Sequence, residues 1–238
     1  MTSTLESANS AFFKKILLKG HIYKPLITAL ISPQRPFALN LLRAYGCESK
    51  MSKKALIFLA PGYEELEFIA SADVLRRAGI EVSIAGIPDN KPVKSARNIA
   101  IVPDISVCDA ACAGPFDVMI LPGGLGGTKA MADCEEVGKL LKEQESSGRK
   151  VAAICAAPTA LKAHCIASGK KVTSYPAMAA AMKEGGTYQY LEDDVVVDGN
   201  IITSRGPGTA AAFALTIVKE LLGSEKACEI AKAMLIKF

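Results

Sequence analysis

From Lys53 onward, short apolar runs alternate with amphipathic stretches. KKALIFLA at 53–60 is a continuous apolar run of strand length followed by Pro61-Gly62, as expected for a strand buried on both faces. Over 64–79, Leu66, Ile69, Ala70 and Val74 recur at helical spacing. Residues 80–85 read as the next strand, and DVMILPGG at 117–124 as another that ends in a glycine-rich turn. A polar-faced helix is predicted over 129–144, a fully buried strand over 150–155 (KVAAIC) and a short helix over 158–166. VVVDGNIITS at 195–204 has the form of a hairpin around Asp198-Gly199. GPGTAAAFALTIVKELLG at 206–223 is a helix with Pro207 near its start and Gly223 at its end. This alternation predicts an α/β domain over 51–238 with a mostly parallel sheet covered on both faces.

The first fifty residues follow another pattern. Phe12, Phe13, Ile16 and Leu17 lie at helical spacing beside Lys14, Lys15 and Lys19, and Pro25, Pro33 and Pro36 prevent one long helix. LITALI at 26–31 is far shorter than the roughly 20 residues needed to cross a bilayer, so no membrane span is expected there. A basic, acid-poor, partly amphipathic extension fits a mitochondrial presequence better than a secretory signal; a disordered or locally helical extension is the alternative. Met51 also opens the possibility of a shorter form that starts there.

Charge separates the same two regions. Residues 1–50 carry seven Lys/Arg and two Glu, while the remainder carries 21 basic and 22 acidic residues. The main domain therefore has little electrostatic support for nucleic-acid binding. The seven cysteines, at 47, 108, 112, 134, 155, 165 and 228, are an odd number without regular spacing or a Cys-x-x-Cys. With only His21 and His164 beside them, neither a zinc site nor a secreted disulfide framework is indicated, and a reducing compartment is expected.

In open α/β sheets, ligands gather at the carboxyl ends of the strands, and three features fall there. The 53–60 strand runs into APGYEELE with carboxylates at Glu64, Glu65 and Glu67. The 117–121 strand runs into Pro122-Gly123-Gly124-Leu125-Gly126-Gly127, which is neither a dinucleotide fingerprint nor a phosphate loop. Its glycines make a tight turn and can expose backbone N–H groups to an oxyanion. The third feature is Cys155, where a following helix from about Ala157 directs N–H groups at the sulfur and favours thiolate. From position alone, a reactive thiol and a buried filler residue both remain open.

A histidine base is hard to supply. His21 lies in the extension, and His164, nine residues past Cys155, sits ~12 Å along a helix from the sulfur. A cysteine-protease or amidotransferase triad is therefore disfavoured. A carboxyl partner is left: Glu67, protonated or sharing a proton with the thiol. The plainer reading of Glu64, Glu65 and Glu67 is a solvated helix N-terminus that complements the helix dipole.

KALIFLAPGYEELEF, DVLRRAGIEV, PVKSARNIAIVPD, FDVMILPGG, AAICAAPTAL and ITSRGPGTAAAFAL, in this order, resemble the ThiJ/PfpI superfamily and its Parkinsonism-associated deglycase (peptidase C56-like) branch. The resemblance covers about residues 52–238 and leaves out the extension. It implies a flavodoxin-like three-layer sandwich that forms a homodimer and needs no cofactor. By motif, Cys155 matches the oxidisable nucleophile on a strained elbow, and Glu67 the acid that hydrogen-bonds it. The N–H groups of Gly124 and Ala156 match the oxyanion site. Arg97 and Arg77 match basic residues near the dimer interface and pocket. Ser95, Val102 and Tyr175 depart from the family, which places cysteines at the first two positions and a pocket histidine at the third. Tyr175 is a poor base at neutral pH, though it can hydrogen-bond.

The function this implies is oxidative-stress protection through oxidation of Cys155 to sulfinate by peroxide. The alternative is cofactor-free glyoxalase or deglycase action on methylglyoxal and glycated adducts through a cysteine hemithioacetal. A redox-regulated chaperone is a third reading without a signature of its own, and protease activity is the least supported. The expected partners are a second copy of the chain and a small aldehyde or peroxide. The expected location is cytoplasmic or mitochondrial, with the nucleus implied by resemblance.

Overall fold

The computed structural model describes residues 52–238; the extension predicted over 1–50 lies outside the described residues. Strand β1 (Lys54–Leu59) leads to helix α1 (Glu65–Arg77) and β2 (Glu81–Gly86). A small antiparallel hairpin, β3 (Val93–Lys94) and β4 (Ala100–Ile101), precedes β5 (Ile105–Ser106) and α2 (Val107–Ala113). Next come β6 (Val118–Leu121), α3 (Leu125–Asp133), α4 (Glu135–Ser146), β7 (Lys150–Ile154) and α5 (Pro158–Ala163). The strand pair β8 (Lys171–Val172) and β9 (Gln189–Tyr190) flanks α6 (Ala179–Lys183). The chain closes with β10 (Val195–Asp198), β11 (Ile201–Ser204), α7 (Ala210–Leu222) and α8 (Ser224–Ala233).

The main sheet has seven strands in the order β10-β11-β7-β6-β1-β2-β5, all parallel except the β10–β11 hairpin. Its five central strands β2-β1-β6-β7-β11 follow the flavodoxin order, whose switch point lies between β1 and β6. Strand alternation assigns the side chains to two layers. Ala55, Ile57 and Leu59 of β1 join Phe68, Val74, Leu75, Phe213 and Ile217 from α1 and α7. Leu56 and Phe58 face the other way, onto Val107, Val137, Leu141 and Leu161. Each such large side chain, fully buried, contributes about 1.5–3 kcal/mol, which is why β6 throughout, and β1 and β7 after their first lysines (Lys54 and Lys150), are continuously apolar rather than alternating. The expected three-layer α/β sandwich is the observed fold.

Local differences have local causes. The helix expected over 129–144 is two helices, because Cys134 takes an extended conformation (φ −90°, ψ 113°) that ends α3 and starts α4. Glu135 and Glu136 then occupy the first turn of α4, where carboxylates complement the dipole. The 195–204 hairpin turns at Gly199 and Asn200, with Gly199 at φ 64°. No helix among the described residues is long and apolar enough to cross a membrane.

Candidate active site

The site forms where β1, β6 and β7 end side by side. Parallel pairing of Ile57 with Ile120 and of Ile120 with Ala152 brings three distant loops to one sheet edge. These are 60–64, 122–124 and 155–157.

Cys155 occupies the turn between β7 and α5 in the left-handed region, at φ 66°. For a non-glycine residue this is a strained conformation worth about 1–3 kcal/mol, held only where the surroundings over-determine it. Here they do. The Cys155 N–H donates to the Ser204 carbonyl at 2.9 Å, its carbonyl accepts from Tyr175 N–H at 2.8 Å, and Ala157 N–H closes the turn on Ile154 at 3.0 Å. The strain aims the thiol out of the strand toward α1, while the residue itself remains buried.

Glu67 meets it from the first turn of α1. Its carboxyl is fully buried, and Oε2 accepts the Gly123 N–H at 2.7 Å. Oε1 is buried with no hydrogen bond among the described residues, which leaves it as the place for a proton. Burial is the main reason the Glu67 pKa rises to about 7; the Cys155 thiol and the Gly123 N–H oppose the rise, Glu64 adds to it, and Arg97 opposes it. Burial and the Glu67 charge push the thiol up to about 12, against the pull of the Gly124 and Ala156 N–H groups. The two groups titrate as a pair: an ionised Glu67 keeps the thiol protonated, and a protonated Glu67 leaves the sulfur to the two N–H groups. The helix-dipole argument for thiolate is thereby corrected. Helix α5 is only six residues long and begins with Pro158, which has no N–H to offer, so Glu67 decides the ionisation.

The glycine turn is part of this geometry. Gly123 lies wedged between the partners: a Cβ there would fall 2.6 Å from both Cys155 Cβ and Glu67 Oε2. Gly124, at φ 86°, packs so closely on the Gly62 and Tyr63 backbone that a side chain has no room.

The other expected residues divide. Arg97, on the β3–β4 hairpin, reaches Glu64 Oε1 at 3.3 Å and Glu65 Oε2 at 3.4 Å. Glu64 in turn caps α1 by accepting the Glu67 N–H at 2.9 Å. Although burial pushes Glu65 up, its own backbone N–H, the Ser95 hydroxyl and Arg97 hold its carboxyl below the usual range. The three glutamates are buried, not a solvated helix start. Arg77 stands ten residues beyond Glu67, roughly 15 Å along α1, exposed and paired with Asp73 at 2.8 Å, so the structure does not bring it to Cys155. Tyr175 is tied by its backbone to Cys155, and its half-exposed ring lies over Gly206. His164 bonds the Met131 carbonyl through Nε2 at 2.8 Å, away from the elbow. Sequence reasoning missed Gly123 as the donor to Glu67 and Ser95 as a partner of Glu65; only the spatial meeting of loops reveals both.

Among the described residues no three or more His, Cys, Asp or Glu are grouped to hold a metal ion. The arrangement is suited to cysteine chemistry with a buried acid: a nucleophilic or oxidisable sulfur, a proton carrier, and two N–H groups for an oxyanion.

An α/β sandwich with a strained cysteine elbow and a carboxylic acid facing it defines the class. The chain belongs to the DJ-1/PfpI family, which matches residues 53–220. It is 54% identical over 189 residues to Protein dj-1beta of Drosophila melanogaster, covering 79% of this chain and 100% of the relative. The crystal structure of that fly protein superposes with a TM-score of 0.76 over the same shares of the two chains. The chain is also 46% identical to the glutathione-independent glyoxalase DJR-1.2 of Caenorhabditis elegans, over 183 residues, 76% of this chain and 96% of the relative.

Proposed function

We propose that this protein is an oxidative-stress protein whose Cys155 is oxidised by peroxide to sulfinate. The carrying observation is a buried acid with a pKa of about 7 beside a thiol that also has two backbone N–H groups within reach. The thiol, pushed up to about 12, holds the shared proton at neutral pH. When that proton passes to Glu67, the sulfur becomes thiolate and takes one oxygen from a first peroxide, which leaves as water. The sulfenate takes another from a second peroxide. The sulfinate oxygens are then held by the N–H groups and by the Glu67 proton, which slows further oxidation. The burial of Cys155 favours a small oxidant.

A second reading, cofactor-free glyoxalase action, is favoured by the relative named a glutathione-independent glyoxalase and by the pKa of Glu67. The thiolate adds to the aldehyde carbon of methylglyoxal. Glu67 gives its proton to the aldehyde oxygen, then as carboxylate moves the proton of that carbon to the neighbouring carbonyl carbon while the hydroxyl proton passes to the ketone oxygen. Water cleaves the resulting lactoyl thioester to lactate and free thiol. The exposed Leu66 and Ile69 on α1, with Ile99 and Val102 beside the hairpin, support the homodimer.

Peroxide titration with peptide mass spectrometry is expected to convert Cys155 to sulfinate before Cys134 or Cys228, and Glu67→Gln to abolish that preference. Equal oxidation of the three thiols would overturn the redox reading. Lactate release from methylglyoxal that is lost in Cys155→Ala and Glu67→Gln would establish the second; release that survives loss of Cys155 would exclude it.

A further inference from the structure

Tyr63, the residue just before the three glutamates, is fully buried although it lies in a loop at the sheet edge. Its ring packs on Phe68 of α1 at 5.3 Å between centroids and 60° between planes. Its hydroxyl donates to the Ile99 carbonyl at 3.1 Å, and its own carbonyl accepts the Ala96 N–H at 2.8 Å. Both partners belong to the turn of the β3–β4 hairpin, the segment that carries Arg97.

Bonds within the turn close it on itself, with Ser95 N–H donating to the Ile99 carbonyl at 2.8 Å and Asn98 N–H to the Ser95 carbonyl at 3.2 Å. Gly62 N–H reaches the Lys94 carbonyl at 2.8 Å. The β3–β4 ladder is two residues long on each side, and Asn98 stands at φ 64°. Within the turn the Ser95 hydroxyl accepts from the Arg97 and Ile99 N–H groups and donates to Glu65 at 3.1 Å. The Ile99 carbonyl also accepts the Ser95 N–H, so the phenol is its second donor and the one that comes from outside the hairpin. Burial, then the Glu65 charge, keep the phenol's pKa raised, so Tyr63 remains a donor at neutral pH.

We propose that Tyr63 is a positioning residue: it ties the hairpin to the start of α1 and so holds the Arg97 guanidinium over Glu64 and Glu65. The charged groups acting on Glu67 are Glu64 on its own helix, Arg97 on the hairpin and Cys155 at the elbow. Arg97 is the positive member of that set. A loosened Arg97 leaves the Glu67–Cys155 pair more negative in its surroundings, so the pair gives up its proton at higher pH. The inference rests on the reading of Cys155 as the reactive thiol.

The test compares the unaltered protein with Tyr63→Phe, Arg97→Met and the double variant. Tyr63→Phe removes one hydroxyl and keeps the ring against Phe68. The readouts are the pH profile of Cys155 alkylation by iodoacetamide, followed by peptide mass spectrometry, and amide exchange of the 93–101 peptide. Tyr63→Phe is expected to raise exchange in the hairpin and slow alkylation about threefold on the acid side of the profile. Arg97→Met shifts the profile the same way, and the double variant no further. Unchanged hairpin exchange, a Tyr63→Phe profile that superimposes on the unaltered one, an Arg97→Met profile that does not move, or shifts that add would each overturn the tether. Alkylation of Cys155 no faster than Cys134 in the unaltered protein fails the reactive-thiol reading instead, while hairpin exchange still reads the tether.

Discussion

Cys155 and Cys134 each stand just ahead of a helix beside a glutamate, yet the two pairs hold their protons differently. Cys134 is half-buried at the head of α4, and its thiol donates to Glu136 Oε2 at 3.4 Å. Glu136 is held below the usual carboxylate range, first by its own backbone N–H and then by the Cys134 thiol, so the carboxyl is ionised and the proton stays on sulfur. Burial, with Glu136 beside it, raises the Cys134 thiol. At Cys155 the glutamate comes from another element and is fully buried, and desolvation lifts it to about 7. Two pairs with the same functional groups thus differ because one carboxyl sees water and the other does not. A cysteine and an acid are not a reactive site until the acid is buried enough to compete for the proton.

The largest effect is expected from forcing the buried pair apart. Gly123→Ala places a methyl group 2.6 Å from both partners, and neither the Cys155 Cβ nor the Gly123 backbone can yield freely. Overpacking of this kind costs about 3 kcal/mol. Thermal unfolding is expected to show the loss of stability, and alkylation to show Cys155 no longer favoured over Cys134. Unaltered stability and selectivity would mean that the pair tolerates separation.

Next in size is the pH dependence that the buried acid imposes. The folded-state pKa of Glu67 lies above its unfolded value of 4.5, so folding favours the protonated form. That contribution is fully present below about 4.5 and is lost as pH rises through about 7. Sharing of the proton with Cys155 reduces the effect to about 2 kcal/mol. Glu67→Gln, which keeps a neutral side chain at every pH, is expected to flatten the stability profile in this window, as read by denaturant unfolding at stepped pH. An equal slope in both proteins would place the titration elsewhere. Glu136→Gln is expected to leave the slope in place, because its carboxyl is held below the usual range and titrates beneath this window.

Much of this contrast was legible before any coordinates, and the part that was not has a physical cause. The apolar runs at β1, β6 and β7 declare strands buried on both faces, and that class of sheet directs attention to their carboxyl ends. Cys155, Glu67 and the glycine turn were all found that way. The burial of Glu64, Glu65 and Glu67 was not, because local spacing makes them a dipole-complementing helix start. What buries them is a turn 56 residues further on, where Gly123 donates to Glu67, and a hairpin in which Arg97 and Ser95 bind Glu64 and Glu65. The break at Cys134 was missed for the opposite reason: its sequence signal is a single residue in an extended conformation. The β3–β4 ladder is likewise too short to leave a periodic pattern. Pairing register decides the site, and a single sequence states it only through the order of its strands.

The smallest expected effect sharpens the comparison from the Cys134 side. If depth alone separates the pairs, removing the sulfur of the shallow one should alter almost nothing. Cys134→Ser keeps a side chain that can donate to Glu136 and improves the N-cap of α4, since serine is a preferred capping residue and cysteine here makes no cap bond. Stability is therefore expected to change by less than about 0.5 kcal/mol, the usual range for such a position, or to rise slightly. The pH profile of Cys155 alkylation is expected to superimpose on that of the unaltered protein, because Cys134 is absent from the groups that act on Glu67 or Cys155. A displaced profile would mean that the two thiols are coupled through α3 and the glycine turn at its head. In that case the proton at Cys155 would not be set by the burial of Glu67 alone.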